Sequence, residues 1–426
     1  MDGGVGIVNT PLRHLVTLNR ATLGEDTAPD HAFKYVDISQ VTSDGHVNVP
    51  DEMTLFGQAP SRARRLASAG DTVVSTVRTY LRAIARVPGP SDELVFSTGF
   101  AVLTPREIDG RFLTYACRAE PFIGEVVARS TGVSYPAINA GELLDITIPS
   151  PSPEEQRRIA DFLDDRVARI DQIMAARSQQ MDRFSELMLR HSFDAVAGTA
   201  IPGDRRRSSL DWLGLLPSDW PVVPVSTQFG VDLGKMLDEK RQTGAASIPY
   251  LRNTNVQWDR TDIADLKEMD IVLEERARYT VQSGDLLVCE GGQPGRAAIW
   301  DGRVADMGYQ KALHRVRTRG RSLPEWLLEC LRVAVNLKVF TVESGQTTIA
   351  HLTNEQLRGQ RFPFPEPSTQ RSLLDQLKCQ RRGIDAAVRG LRQSIDLLTE
   401  YKSSLITAAV TGELDVTTAS RRIPGE

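Results

Sequence analysis

Cysteine is scarce and scattered. Cys117, Cys289, Cys330 and Cys379 are the four in 426 residues, and no two stand at the spacing of a redox or zinc motif. That argues against a disulfide framework and a cysteine-held metal, and it fits a reducing compartment. The six histidines (His14, His31, His46, His191, His314, His351) show no ligand spacing either, so no metal site is expected. No run approaches about 18 apolar residues, and the first residues lack a charged segment followed by an apolar core. Membrane insertion and secretion are therefore not expected, and a cytoplasmic location is. A basic excess is missing too: 51 Lys and Arg face 55 Asp and Glu, for a net charge of −4. A chain that held nucleic acid alone would need a basic surface, so any phosphate contact must come from local patches or from partner subunits.

Chemistry-bearing motifs are equally thin. There is no phosphate-cradling GxxxxGK[ST], no proline-paired adenine-methylation tetrapeptide and no glycine-rich loop set in a βαβ unit. Gly291-Gly292-Gln293-Pro294-Gly295 comes nearest, but proline sits inside it and no helical pattern follows. It reads as a tight turn, or as a loop that approaches a nucleic-acid backbone closely. The chain looks catalytically empty, with no cofactor of its own.

What the sequence does contain is a long repeat. Pro149–Asp171 and Pro363–Asp385 share Pro149/Pro363, Pro151/Pro365, Pro153/Pro367, Gln156/Gln370, Arg157/Arg371, Asp161/Asp375, Leu163/Leu377, Ile170/Ile384 and Asp171/Asp385, all at an offset of 214. A period this long duplicates a whole domain with its helix. The alternating prolines suit an extended lead-in. Ser152-Pro153-Glu154-Glu155 then supplies a cap, a proline at the first helical position and a glutamate three residues after the cap. Beyond it, apolar residues recur at spacings of four and three: Leu163, Val167, Ile170, Met174, Met181, Phe184, Met188, and Leu377, Ile384, Val388, Leu391, Ile395, Leu398, Leu405. These are heptad seams, interrupted only by Arg177, Arg381 and Lys402. An amphipathic helix on an ordinary core is the plainer reading; two matching helices in a duplicated chain favour pairing with each other.

In order, residues 1–149 form a first mixed α/β region, with strand-like runs at Lys34–Ser39, Thr72–Thr76, Leu94–Val95, Phe100–Leu103 and Asp145–Ile148. Helices are expected near Arg111–Cys117 and Phe122–Arg129. The first long helix (segment 150–199) runs from Glu154 to Ala197, and a linker (200–209) carries Arg205-Arg206-Arg207, a solvated face or a phosphate contact. Residues 210–362 form the second region, 363–416 carry the second long helix (Ser368 to Val410), and 417–426 are a polar tail. The landmarks of the first region recur in the second: Gly70-Asp71 as Gly284-Asp285, Tyr35-Val36 as Tyr250-Leu251, Ser130-Thr131-Gly132 as Glu343-Ser344-Gly345. Pro11 and Gly24 stand 210 residues before Pro221 and Gly234, and Val196 and Gly198 match Val410 and Gly412. The lead-in Trp212-Leu213-Gly214 and Leu216-Pro217-Ser218-Asp219-Trp220 has no counterpart. Gly383 and Gly390 suggest that the rods approach closely there. The fold class is α+β: two mixed α/β domains separated by two long helices that pair as an antiparallel coiled coil, with a pseudo-two-fold internal repeat. DNA has local two-fold symmetry, and a rod of about 50 Å can span half-sites roughly 34–36 Å apart.

At this point the chain resembles the specificity subunits of type I restriction-modification systems. The resemblance is carried by Gly345 to Asp385 with its P-x-P-x-x-Q-R, by Leu216-Pro217-Ser218-Asp219-Trp220, by Gly284-Asp285, and by Tyr401-Lys402-Ser403-Ser404-Leu405-Ile406 through Val410-Thr411-Gly412. It implies a non-catalytic subunit that recognises an asymmetric bipartite site in double-stranded DNA. It also implies partners: two DNA methyltransferase (modification) subunits using S-adenosylmethionine, and two restriction/translocase subunits using ATP and Mg. A coiled-coil scaffold joining two protein-binding domains, with no DNA role, is the alternative.

Polar and basic side chains on loops are the candidate DNA readers. In the first domain these are Ser75, Thr76, Arg78, Tyr80 and Arg82, directly after the Gly-Asp strand, with Thr98 and Arg129. In the second they are Gln293 and Arg296 in the equivalent loop, with Tyr309, Gln310, Lys311, Thr347 and Thr348.

Overall fold

A computed structural model describes residues 8–237, 243–342, 351–419 and 423. Two compact units divide the chain: Met1–Ser178 with Leu391–Glu426, and Gln179–Gly390. Each is built on a four-stranded antiparallel sheet, and the order is the same in both. In the first unit Val16–Leu18, Phe100–Pro105, Thr72–Ser75 and Ile84–Arg86 lie side by side; in the second the order is Phe229–Leu233, Leu313–Thr318, Leu286–Cys289 and Ala297–Ile299.

The repeated sequence signals have the same physical cause in each copy. Gly70 and Gly284 take positive φ (93° and 90°), which a glycine adopts freely. The following Asp71 and Asp285 accept backbone N–H bonds from Ser68 (2.8 Å) and Gln282 (2.7 Å), closing the turn that launches the central strand. Tyr35-Val36 and Tyr250-Leu251 end strands paired in parallel with Leu94–Ser97 and Gly308–Tyr309, and each runs into a 3₁₀ turn, Ile38–Gln40 and Asn253–Asn255. The entry strand Asn9–Pro11 pairs with Thr147–Pro149 as Val222–Pro224 pairs with Arg361–Pro363. Pro11 and Pro224 both precede a one-turn helix, Leu12–Leu15 and Val225–Gln228. The structural counterpart of Pro11 is thus Pro224 rather than Pro221, because strand pairing sets the register. Gly24 and Gly234 fall in unlike places: Gly234 directly follows Phe229–Leu233, whereas Gly24 follows the separate strand Ala21–Thr22.

Away from this shared frame the units differ. The first carries a five-stranded sheet ordered Ala21–Thr22, Ala63–Leu66, Leu94–Ser97, Ala32–Val36 and Thr54–Leu55; the second has three strands, Lys267–Asp270, Ser247–Leu251 and Gly308–Tyr309. The second unit also owns a hairpin, Arg205–Arg207 with Leu215–Pro217, where a linker was expected. Two of its three arginines bind the end of the first long helix and the hairpin, while Arg207 is exposed. Arg205 donates to the carbonyls of Ala197, Gly198 and Leu215 (2.8–2.9 Å), and Arg206 to those of Ser218 (3.2 Å) and Trp220 (2.6 Å). The ring of Trp220 meets that of Trp326 edge-on at 5.9 Å.

The long helices span Pro153–Val196 and Pro367–Thr411, within a residue of the sequence expectation. In the first unit Leu163, Val167 and Ile170 share a core with Leu398, Leu405, Ile406, Ala409 and Val410. In the second, Ala195 and Val196 share one with Leu373 and Leu377. In the first unit the beginning of the first long helix packs with the end of the second, and in the second unit the beginning of the second packs with the end of the first. Two of the seam's charged interruptions are its polar contacts. Lys402 reaches Asp171 at 2.7 Å in the first unit, and Arg381 reaches Ser192 at 3.2 Å in the second. Gly383 and Gly390 do not mark a close approach: both face solvent, with open space where a Cβ would stand.

The shared glutamines clamp each helix start to its own unit. Gln156 accepts from the Asp109 N–H (2.8 Å) and donates to the Pro151 carbonyl (2.9 Å); Gln370 accepts from the Leu323 N–H (2.9 Å) and donates to the Pro365 carbonyl (2.7 Å). Both are buried. Among the described residues, no helix is long and apolar enough to cross a membrane.

Candidate nucleic-acid interface

In each unit a loop leaves the central strand just after its Gly-Asp turn, and the two loops are built differently. In the first unit, residues 76–82 fold against residues 130–137. Val77 bridges Ala137, the Arg78 N–H donates to the Pro136 carbonyl at 2.8 Å, and the Thr79 and Ser130 hydroxyls meet at 2.9 Å. Arg78 and Arg82 both stand at φ 51°, in the left-handed region, on either side of the 3₁₀ turn Thr79–Leu81. That conformation is uncommon for residues other than glycine, and here the second loop holds it. The turn lifts Tyr80 and Arg78 into solvent, with the Arg78 guanidinium 5.0 Å from the centre of the Tyr135 ring.

The expected readers of this unit separate into three groups. Ser75 and Thr76 are buried, their hydroxyls donating to the carbonyls of Val77 (2.6 Å) and Gly99 (2.9 Å), so they build the loop and present nothing to a ligand. Arg82 pairs with Glu120 at 2.5 Å, and that carboxylate also accepts from the Ser403 hydroxyl. Arg129 pairs with Glu125 at 2.9 Å. Arg78, Tyr80 and Thr98 are exposed. Val133 and Tyr135, which sequence reasoning passed over, are also exposed on the neighbouring loop, Tyr135 beside Arg78. The signal for them was two apolar side chains in a Gly-Val-Ser-Tyr-Pro turn with no strand or helix to bury them.

The second unit's loop, residues 289–296, is a glycine turn. Gly292 and Gly295 take positive φ, and a Cβ on Gly295 would stand 2.6 Å from the Phe340 ring, so the tight-turn reading holds. Gln293 is exposed at its tip. Arg296 turns inward and donates to the backbone carbonyl (3.1 Å) and side-chain oxygen (3.0 Å) of Asn253, whose own amide donates to the Gly291 carbonyl at 2.7 Å. Asn253 is the residue missed here, and it organises the loop. Tyr309 is fully buried with its hydroxyl donating to the Arg278 carbonyl at 3.0 Å; burial, the largest influence, pushes that phenol's pKa up. A side chain so enclosed offers no surface to DNA, and Tyr309 leaves the set of readers. Gln310 is half-buried and Lys311 exposed, next to the strand Gly308–Tyr309. Thr347 and Thr348, like Glu343-Ser344-Gly345, lie outside the described residues.

Residues 64–183 match the family model described as the type I restriction modification DNA specificity domain. The chain is 21% identical over 333 residues to the type I restriction enzyme EcoKI specificity subunit of Escherichia coli strain K12, covering 76% of this chain and 69% of that protein. It is 19% identical over 363 residues to the putative type I restriction enzyme MjaX specificity subunit of Methanocaldococcus jannaschii, covering 82% and 79%. Among solved structures, a chain from work on complex assembly and conformational transition of the type I R-M system shares the fold. Its TM-score is 0.71 at 22% identity, over 96% of this chain and 98% of that one.

Proposed function

We propose a function for this chain from its family: it belongs to the specificity subunits of type I restriction-modification systems, and DNA recognition is its role. It reads an asymmetric bipartite site, one half with each unit. The observation that carries this reading is the pairing of one frame with two unlike loops. The four-stranded sheets, Gly-Asp turns and glutamine clamps are common to both units. The loops they position differ in every exposed side chain: Arg78 and Tyr80 in one, Gln293 in the other. Two copies of a reader that had kept the same loop would match a palindrome; these suit two different half-sequences. Arg78 and Gln293 have the donor groups that pair with guanine and adenine edges in the major groove, and Lys311 supports the second loop as a phosphate contact.

The chemistry lies on partners. Methyltransferase subunits bind S-adenosylmethionine and modify the site, and restriction subunits use ATP and Mg to translocate and cut, two of each per specificity subunit. The net charge of −4 agrees with a reader whose phosphate contacts are largely shared out to such subunits. Coexpression tests the reading. The chain should co-purify with a DNA methyltransferase subunit, and methylation of a discrete sequence should require both. A chain that binds no methyltransferase and directs no methylation would refute it.

A further inference from the structure

The loop surface of the first unit carries apolar bulk that base-edge hydrogen bonding does not need. Tyr80 is 56% exposed, Tyr135 65%, and Val133 fully so, with Leu81 beside them. They stand on two loops that hydrogen bonds and a β-bridge fasten together. An exposed apolar edge of this kind marks a binding surface, and the charge around it selects the partner. Residues 72–91 and 126–141 contain four arginines, Arg78, Arg82, Arg86 and Arg129, and no aspartate or glutamate, in a chain whose net charge is −4. Glu120 and Glu125 neutralise Arg82 and Arg129. Arg78 has no carboxylate partner among the described residues and lies over Tyr135. Aromatic and aliphatic tips on a pinned platform, next to a guanidinium that reaches a base edge, are what a side chain needs to enter between base pairs beside the base being read.

Resting on the DNA-reading role above, we propose that the edge formed by Tyr80, Leu81, Val133 and Tyr135 is a wedge that unstacks one base step of duplex DNA in the first unit's half-site. The proposal is asymmetric. The equivalent loop of the second unit, residues 289–296, reads Cys-Glu-Gly-Gly-Gln-Pro-Gly-Arg and has no aromatic residue to insert. The pinning of the loops matters because a flexible loop would lose in ordering entropy what stacking supplies.

The test uses the assembled complex with its methyltransferase subunits and duplexes carrying 2-aminopurine at each purine of the recognised site in turn. Fluorescence should rise at a step inside one half-site only, in addition to any base extruded for methylation. Tyr80→Ala should abolish that rise and weaken binding roughly five- to tenfold, whereas Tyr80→Phe should keep both. If Tyr80→Ala methylates and unstacks as the parent does, the wedge is refuted. If Tyr80→Ala or Val133→Ser instead releases the methyltransferase subunit with DNA affinity unchanged, the edge is a protein interface and the proposal falls. If the parent complex methylates no bipartite sequence, it is the DNA-reading role that fails.

Discussion

Lys402 and Asp171, 231 residues apart in sequence, meet at 2.7 Å, with the lysine 97% buried (3% exposed) and Asp44 a further 3.0 Å partner. The lysine comes from one long helix, Asp171 from the other, and Asp44 from a turn of the first domain. One cation therefore joins three segments of the first unit. Arg381 does the same in the second unit, touching Ser192 of the other helix and Glu329 of the domain at 2.5 Å. Both cations come from the second helix. Their repeat equivalents at the offset of 214 are Met188 and Val167, so the duplication did not supply them twice.

Lys402→Met should therefore destabilise the first unit. Breaking a buried ion pair costs about 3–5 kcal/mol, but Asp44 and Asp171 keep some water, and roughly 1–3 kcal/mol is expected. Chemical denaturation of Lys402→Met, Asp171→Asn and the double variant should give single effects that do not add, because the same contact is lost in each.

The glutamine clamps should behave alike in the two units. Gln156→Ala and Gln370→Ala each leave a part-buried backbone N–H and a carbonyl without their side-chain partner, a loss of about 2–3 kcal/mol. Glutamate at either position should be no better, since an ionised carboxylate cannot donate to Pro151 or Pro365. Matching losses in denaturation midpoint from the two alanine variants would check this.

Gln293 and Arg296 are neighbours with different expected outcomes. Gln293→Ala should leave stability unchanged and relax base choice in the second half-site by about 1–3 kcal/mol. Arg296→Ala should lower stability, by about 1–2 kcal/mol, because the two Asn253 oxygens lose their guanidinium donor. Binding titrations set beside melting curves distinguish the two.

His314 gives a pH dependence. Burial, its largest influence, lowers the pKa of this imidazole, although its Nε2–H bond to the Leu352 carbonyl at 2.7 Å partly opposes that shift. As pH falls below the ordinary value of about 6.5, the unfolded chain takes up a proton before the folded one does. Stability is therefore steady above that value and falls below it, until the folded imidazole also protonates. His314→Gln, which can still donate to Leu352, should show a shallower acid decline in denaturation midpoint.

The long helices, the Gly-Asp turns and the doubling were legible in the sequence because their signals are local: prolines, heptads and a two-residue motif. What was not legible depends on distant partners. Lys402 and Arg381 looked like flaws in the seam, since Asp171 and Glu329 lie far off in the chain. Arg296 looked like a reader until Asn253, 43 residues earlier, was brought beside it. Tyr309 and Thr76 have the side chains of an interface, but the strands and loops around them are covered. Val133 and Tyr135 went unnoticed for the opposite reason: nothing folds over them.

Methylome sequencing tests the central claim most directly, in cells carrying the parent chain, Arg78→Ala or Gln293→Ala together with the methyltransferase. The account predicts one bipartite motif with two unlike halves. Arg78→Ala should blur one half and Gln293→Ala the other. A palindromic or undivided motif, or both variants altering the same half, would contradict it.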